Sequence, residues 1–176
     1  PFMLIGAVDG KGWPWASILE GAPGFAQSPM PTILNLNTEL SNTDPIHSGL
    51  AKGQSVGLLG IELHTRRRNR LNGCVTEHTS NHISITVDQS FGNCPQYIQT
   101  RDFSWVHDPL KPYHGQLETL NDLDDDARAM LTQADTFFVA SYVDLPDGIR
   151  QVDVSHRGGK TGFVKINGNR LRIPDF

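Results

Sequence analysis

Ten residues near the start of the chain return near its end. Ala16-Ser17-Ile18-Leu19-Glu20-Gly21-Ala22-Pro23-Gly24-Phe25 and Val154-Ser155-His156-Arg157-Gly158-Gly159-Lys160-Thr161-Gly162-Phe163 share Ser, Gly, Gly and Phe at a constant offset of 138 (155 − 17). The apolar stretch before each copy matches as well, Phe2 to Asp9 against Phe137 to Asp144, at an offset of 135 (137 − 2). The difference predicts three extra residues in the turn of the second copy. Two copies of one supersecondary unit imply two related units packed together. Ile18, Leu19 and Ala22 of the first copy become His156, Arg157 and Lys160 in the second. One copy reads as a packing surface, the other as an anion site. Only thirteen residues (176 − 163) follow Phe163, and the chain opens directly in an apolar strand, so it reads as a fragment or as the ordered part of something longer.

At 176 residues the chain has room for one domain, or one and a fraction. Its 17 glycines and 11 prolines demand many turns and argue against a helical bundle. A net charge of −4 argues against a general nucleic-acid binder. Cys74 and Cys94 sit in unrelated contexts, which suits a reducing, cytoplasmic setting better than a disulfide scaffold. No apolar run reaches the roughly eighteen residues of a spanning helix, and no signal peptide is visible, so no membrane partner is expected. Charge is unevenly placed. Glu118, Asp122, Asp124, Asp125 and Asp126 crowd one segment, while His156, Arg157, Lys160, Lys165, Arg170 and Arg172 crowd the last.

Residues 2–8 and 13–20 read as strands joined by Asp9-Gly10-Lys11-Gly12. Thr32–Leu36 follows a Pro-rich bend, and the apolar run Val56–His64 reads as a buried central strand. Arg66–Asn69 predicts a polar turn leading to a partner strand at Leu71–Glu77. Ile83, Ile85 and Val87 alternate with polar residues, the period of a strand. Six short strands so spaced predict a mainly β barrel or sandwich. A helix is predicted over Asp122–Ala134 with Asn121 as N-cap, and a short one at Cys94-Pro95. The division expected is a barrel unit at 1–115, a helical connector at 116–135, and the opening strands of a second unit at 136–176.

Ser155, His156, Arg157, Gly158, Gly159 and Lys160 form the strongest functional signal. Backbone amides at two glycines and three cationic or donor side chains, converging after a strand, are what a phosphate needs. A solvated basic turn is the alternative. Cys94 at a helix start could carry a lowered thiol pKa, against a small buried cysteine filling a tight turn. His78 and His82 lie four apart beside Glu77, but a turn separates them, so no metal site is expected. Arg66–Arg70 reads as an exposed hairpin tip. Trp13 and Trp15 share a strand face, for core or interface packing first and flavin stacking second. No residue stands out as catalytic acid, base or nucleophile.

Leu4 to Asp9 with Gly12 to Ser17, then Phe91-Gly92-Asn93-Cys94-Pro95-Gln96-Tyr97-Ile98-Gln99, then Asp153 to Val164, resemble the pyridoxamine 5'-phosphate oxidase-like, FMN-binding split-barrel family. The likeness is greatest to its two-copy branch, in which such a region can precede a ferredoxin-reductase-like module. The resemblance implies a six-stranded split β-barrel of Greek-key character and a homodimer with FMN at or near an interface. It also implies a small-molecule or protein redox partner, with the substrate left open. A flavin-dependent oxidoreductase or electron-transfer module is therefore expected. A silent dimerisation or ligand-sensing barrel, or a haem-binding one, is the alternative. A second copy of the chain is expected to cover Phe137, Phe138 and Val139.

Overall fold

The structure is a computed structural model that describes residues 1–106, 108 and 117–174. Strands β1 (Phe2–Val8), β2 (Pro14–Glu20), β3 (Ala26–Met30) and β4 (Ile33–Leu36) precede a 3-10 turn at Pro45–Gly49. Then come β5 (Ser55–Glu62), β6 (Arg67–His78), β7 (Ile83–Gly92), the helix α1 (Asp125–Gln133), and the strands β8 (Thr136–Asp144), β9 (Arg150–Gly158), β10 (Lys165–Asn167) and β11 (Arg170–Arg172). The fold is mainly β, as expected. The division at 115/116 falls outside the described residues.

Seven strands make one antiparallel sheet in the order β2-β1-β5-β6-β7-β4-β3. Hydrogen bonding does not close it into a barrel. The sheet nevertheless curls, because Leu19 from β2 at one edge and Leu34 and Leu36 from β4 near the other share one core with Ile5, Leu58 and Val75. One bond ties the two edges together, Thr38 Oγ1 donating to the Glu20 carbonyl at 2.6 Å, while Asn37 N–H donates to the Phe25 carbonyl at 2.7 Å and extends the β3–β4 pair. The apolar run of β5 is explained by burial on both faces. Val56 and Leu58 face the inner core, while Leu59 and Ile61 face a second cluster with Leu4, Ile98, Ala140 and Val154.

That second cluster lies under the β8–β9 hairpin, a separate two-stranded sheet. Glycines allow the approach. A Cβ at Gly57 would lie 2.6 Å from the Val152 carbonyl oxygen, and one at Gly6 would lie 2.4 Å from a Val154 methyl. Phe138 packs against this cluster and Phe137 stacks on Phe163 at 5.7 Å, so both are partly covered within the chain; Val139 stays exposed.

The repeat is present, but its extra residues are not in the turn. Turns 9–13 and 145–149 have the same length and closure. Asp9 N–H meets the Trp13 carbonyl at 2.9 Å and Leu145 N–H meets that of Ile149 at 2.9 Å, with Gly12 and Gly148 both left-handed. The additions lie in the strands: β1 and β2 have 7 residues each, β8 and β9 have 9. Two residues is one full strand period, so each face keeps its identity. The following turns also match. Phe25 N–H reaches the Ala22 carbonyl at 3.0 Å and Phe163 N–H that of Lys160 at 2.9 Å. Each ring leaves no room for a Cβ at Gly21 or Gly159.

Other expectations need correction. β3 passed unseen because Pro29 and exposed polar residues hide it; it is an edge strand with an irregular register between Gln27 and Met30, where proline is tolerated. β6 begins at Arg67, so of the arginine run only Arg66 lies in the turn and the rest is strand. Helix α1 starts later than predicted, capped by Asp124, whose carboxylate accepts from Ala127 N–H at 2.8 Å. Cys94-Pro95 forms no helix, and Cys94 is exposed rather than buried. Trp13 and Trp15 are exposed, with Trp15 Nε1 donating to Asp9 at 3.0 Å, so neither is core.

Candidate functional site

Strand β6 turns Arg68, Arg70 and Asn72 toward β9, since every second side chain shares a face. Asn72 Nδ2 donates to the Val152 carbonyl at 2.5 Å. Arg70 donates to Asp153 at 3.0 Å and to Ser155 Oγ at 2.9 Å. Arg68 NH1 lies 3.2 Å from His156 Nδ1. A guanidinium can only donate, so Nδ1 is assigned as acceptor and Nε2 carries the proton. His156 is only 3% exposed, its ring tilted against Phe138 at 5.6 Å. Burial, then Arg68, then Arg157 hold its pKa down to about 4. The imidazole is therefore neutral near pH 7, and its buried Nε2–H has no partner among the described residues. Arg68 Nε is buried and unpartnered too.

These side chains border a small cavity of about 130 Å³ lined by Arg68, Gln96, Tyr97, His156, Arg157, Gly158, Phe163 and Pro174. None of the lining residues is acidic. Burial first, then the charge of Arg70, press the pKa of Arg68 downward; Cys94 works the other way, and Arg157 adds a smaller downward push. A cation held where burial and like charges both oppose it is stabilised by any anion that joins it.

An open groove of about 1210 Å³ adjoins, sharing Arg68 with the cavity. Segment 92–97 runs between them: Gly92, Asn93 and Pro95 line the groove, Gln96 and Tyr97 the cavity. Phe2, Met3, Phe25 and Phe103 give the groove apolar surface, while Arg66, Arg67 and Arg101 add charge. The two non-glycine residues with positive φ are Arg66 (φ 57) and Tyr97 (φ 66), among the described residues. One lines the groove, the other the cavity. Each placement costs roughly 1–2 kcal/mol relative to an ordinary conformation. The Tyr97 carbonyl sits so close to Gly158 that a Cβ there would lie 2.1 Å away. That contact, and not an anion, explains this glycine.

The six residues expected to converge do not all do so. His156, Arg157 and Gly158 reach the cavity. Ser155 instead accepts from Arg70 and donates to Asp153. Gly159 N–H is engaged by the Asp135 carbonyl at 2.9 Å, and its own carbonyl accepts from Gln99 at 3.2 Å. Lys160 is exposed on the turn and does not line the cavity. Arg68, Gln96 and Tyr97 are the additions. The polar spacing of Arg68, Arg70 and Asn72 at every second position was the available signal for β6. Elsewhere, His78 leans on His47 at 5.1 Å and His82 bonds Asn37 at 2.9 Å; no group of three metal-ligating side chains forms among the described residues.

No family model matches the chain, and no curated protein does. Among solved structures, the chain is similar to HupZ of Group A Streptococcus, at 11% identity and a TM-score of 0.41, over 52% of this chain and 83% of that one. It is also similar to a histidine-to-alanine variant of HupZ, at 12% identity and a TM-score of 0.40, over 52% and 89%. A likeness of that degree assigns neither cofactor nor activity. No helix among the described residues is long and apolar enough to cross a membrane.

Proposed function

We propose that the chain binds FMN and serves as a flavin-dependent oxidoreductase or electron-transfer module. The supporting observation is a pair of spaces that share Arg68 in their walls: a donor-lined cavity of about 130 Å³, of the size a phosphate needs, and a groove of about 1210 Å³ with room for a planar ring system. Every charged or buried polar side chain at the cavity wall is a donor at neutral pH, so the site suits an acceptor-only group. Arg68 and Arg157 would hold the phosphate, with His156 Nε2–H as a neutral donor. Phe2, Met3 and Phe25 would shield the ring from water. FMN, when bound, supplies the hydride- and electron-transfer chemistry itself. Ser155, Gly159 and Lys160 drop to supporting roles in this reading: Ser155 fixes Arg70, Gly159 ties β9 to Asp135, and Lys160 contributes long-range charge.

The test is spectroscopic. Purified protein mixed with FMN and passed through a desalting column is expected to retain the visible flavin bands and to quench flavin emission. Protein that emerges colourless would overturn the reading in favour of a silent barrel. Retention of added haem with no retention of FMN would overturn it in favour of the haem-binding alternative.

A further inference from the structure

The groove is larger than one ligand needs. Small-molecule pockets usually span about 300–1,000 Å³, and this one reaches about 1210 Å³. The groove lining also has its own chemistry. Arg66 and Arg67, in the turn before β6 and at its first residue, have side chains that make no ion pair or hydrogen bond among the described residues. By contrast Arg101 is tied to Asp135 and Arg68 to His156. The one carboxylate lining the groove, Glu62, is engaged by the Thr65 hydroxyl at 2.7 Å. Arg66 occupies a left-handed position where glycine or asparagine would be at ease. A long cation held there against backbone preference points to a use for the cation. Nearby in the lining, Phe103 is 58% exposed and set edge-on to Trp105 at 5.8 Å, an aromatic surface left facing solvent.

We propose that the stretch of the groove lined by Arg66, Arg67 and Phe103 binds a second, phosphate-bearing ligand of the nucleoside diphosphate class, its phosphates on Arg66 and Arg67 and its base against Phe103. Two arginines at consecutive positions offer one guanidinium to each phosphate group of a diphosphate. An exposed aromatic face stacks on any base. The site is separate from the Arg68–His156–Arg157 cavity, so the inference goes beyond the flavin reading and does not need it for binding.

Calorimetric titration with ADP tests it, in the presence and absence of FMN. ADP is expected to bind in both cases, with adenosine and inorganic pyrophosphate each weaker by about tenfold or more. Arg66→Gly and Arg67→Ser are each expected to weaken ADP by about tenfold while leaving FMN retention unchanged. Arg66→Gly also relieves the left-handed backbone, so it should melt no lower than wild type; a loss of ADP binding then cannot be blamed on misfolding. ADP affinity indifferent to both substitutions would overturn the proposal. Pyrophosphate binding as tightly as ADP would reduce the site to an unselective anion patch, and competition between ADP and FMN would merge it with the flavin site; both outcomes also overturn it. Should FMN fail to bind while ADP behaves as expected, only the flavin reading falls.

Discussion

The two hairpins share a turn, a trailing Gly-x-x-Gly-Phe loop and a buried serine, yet they are used in opposite ways. In β1–β2, Leu19 enters the main core and Ile18 is 57% exposed. Ser17 settles on Asp44 at 2.7 Å. In β8–β9, the residue matching Ile18 at the offset of 138 is His156, which is buried, and Ser155 joins an Arg70–Asp153 ion pair. The first hairpin extends a sheet through backbone bonds to β5. The second lies across the same sheet and is held by side chains and by close glycine contacts. A repeated backbone unit therefore supplies scaffold when paired edge to edge, and a walled cavity when laid face to face. The cavity of this protein draws its donors from two layers, Arg68 from β6 and His156 from β9.

The largest expected effect breaks the face-to-face docking. Gly57→Val would push side-chain atoms into the Val152 carbonyl and the Asp153 Cα, both backbone and unable to yield. A loss of about 3 kcal/mol in denaturant unfolding is expected. Gly10→Ala, where a Cβ meets nothing within 4 Å, should change stability by less than about 0.5 kcal/mol. Similar losses for the two would refute close docking.

Acidification comes next. His156 has a folded pKa of about 4, below the unfolded value of 6.5, so the unfolded chain binds the extra proton between them. Its stabilising neutrality is fully present above pH 6.5 and is lost as pH falls toward 4. A loss on the order of 2 kcal/mol is expected over that window, and His156→Phe should remove most of this pH dependence in unfolding curves. Affinity for sulfate, whose charge is fixed over this range, should stay flat between pH 6 and 8, because the His156 ring is already neutral there. An affinity that falls through this range would show that His156 binds as a cation.

Much of the fold was legible because burial on one or both faces leaves a pattern. β1, β5 and β8 are apolar runs, and β7 alternates. β3 and the start of β6 were not legible, for the physical reason that neither offers an apolar face: one carries Pro29 at an edge, the other arginines directed at β9. The candidate site was half legible. His156 and Arg157 were visible as basic residues beside glycines, but Ser155 and Gly159 are bonded elsewhere and Lys160 is exposed, so the six do not converge. Their partner Arg68 lies 88 positions away and is brought in only by hairpin docking.

A smaller effect tests how the hairpin is held. Arg70→Met strands the carboxylate of Asp153 and should cost about 1–2 kcal/mol, the pair being partly solvated. Adding Asp153→Leu should recover part of it; strict additivity in the double variant would show that the pair does not couple. Smallest of all, Ile18→His should shift the melting free energy by less than about 0.5 kcal/mol, since that position faces solvent. It should also create no FMN binding of its own. A large loss at Ile18 would mean that the two hairpins are more alike than their surroundings indicate.

The donor-lined cavity between the hairpin and the sheet is tested most directly by comparing FMN with riboflavin, which lacks the phosphate, in wild type and Arg68→Ala. A charge-assisted bond contributes roughly 1.5–3 kcal/mol, so wild type is expected to favour FMN by about tenfold to a hundredfold, and the substitution to erase that preference while leaving riboflavin affinity in place. Equal affinity for the two flavins in wild type, or a preference that survives Arg68→Ala, would contradict the account.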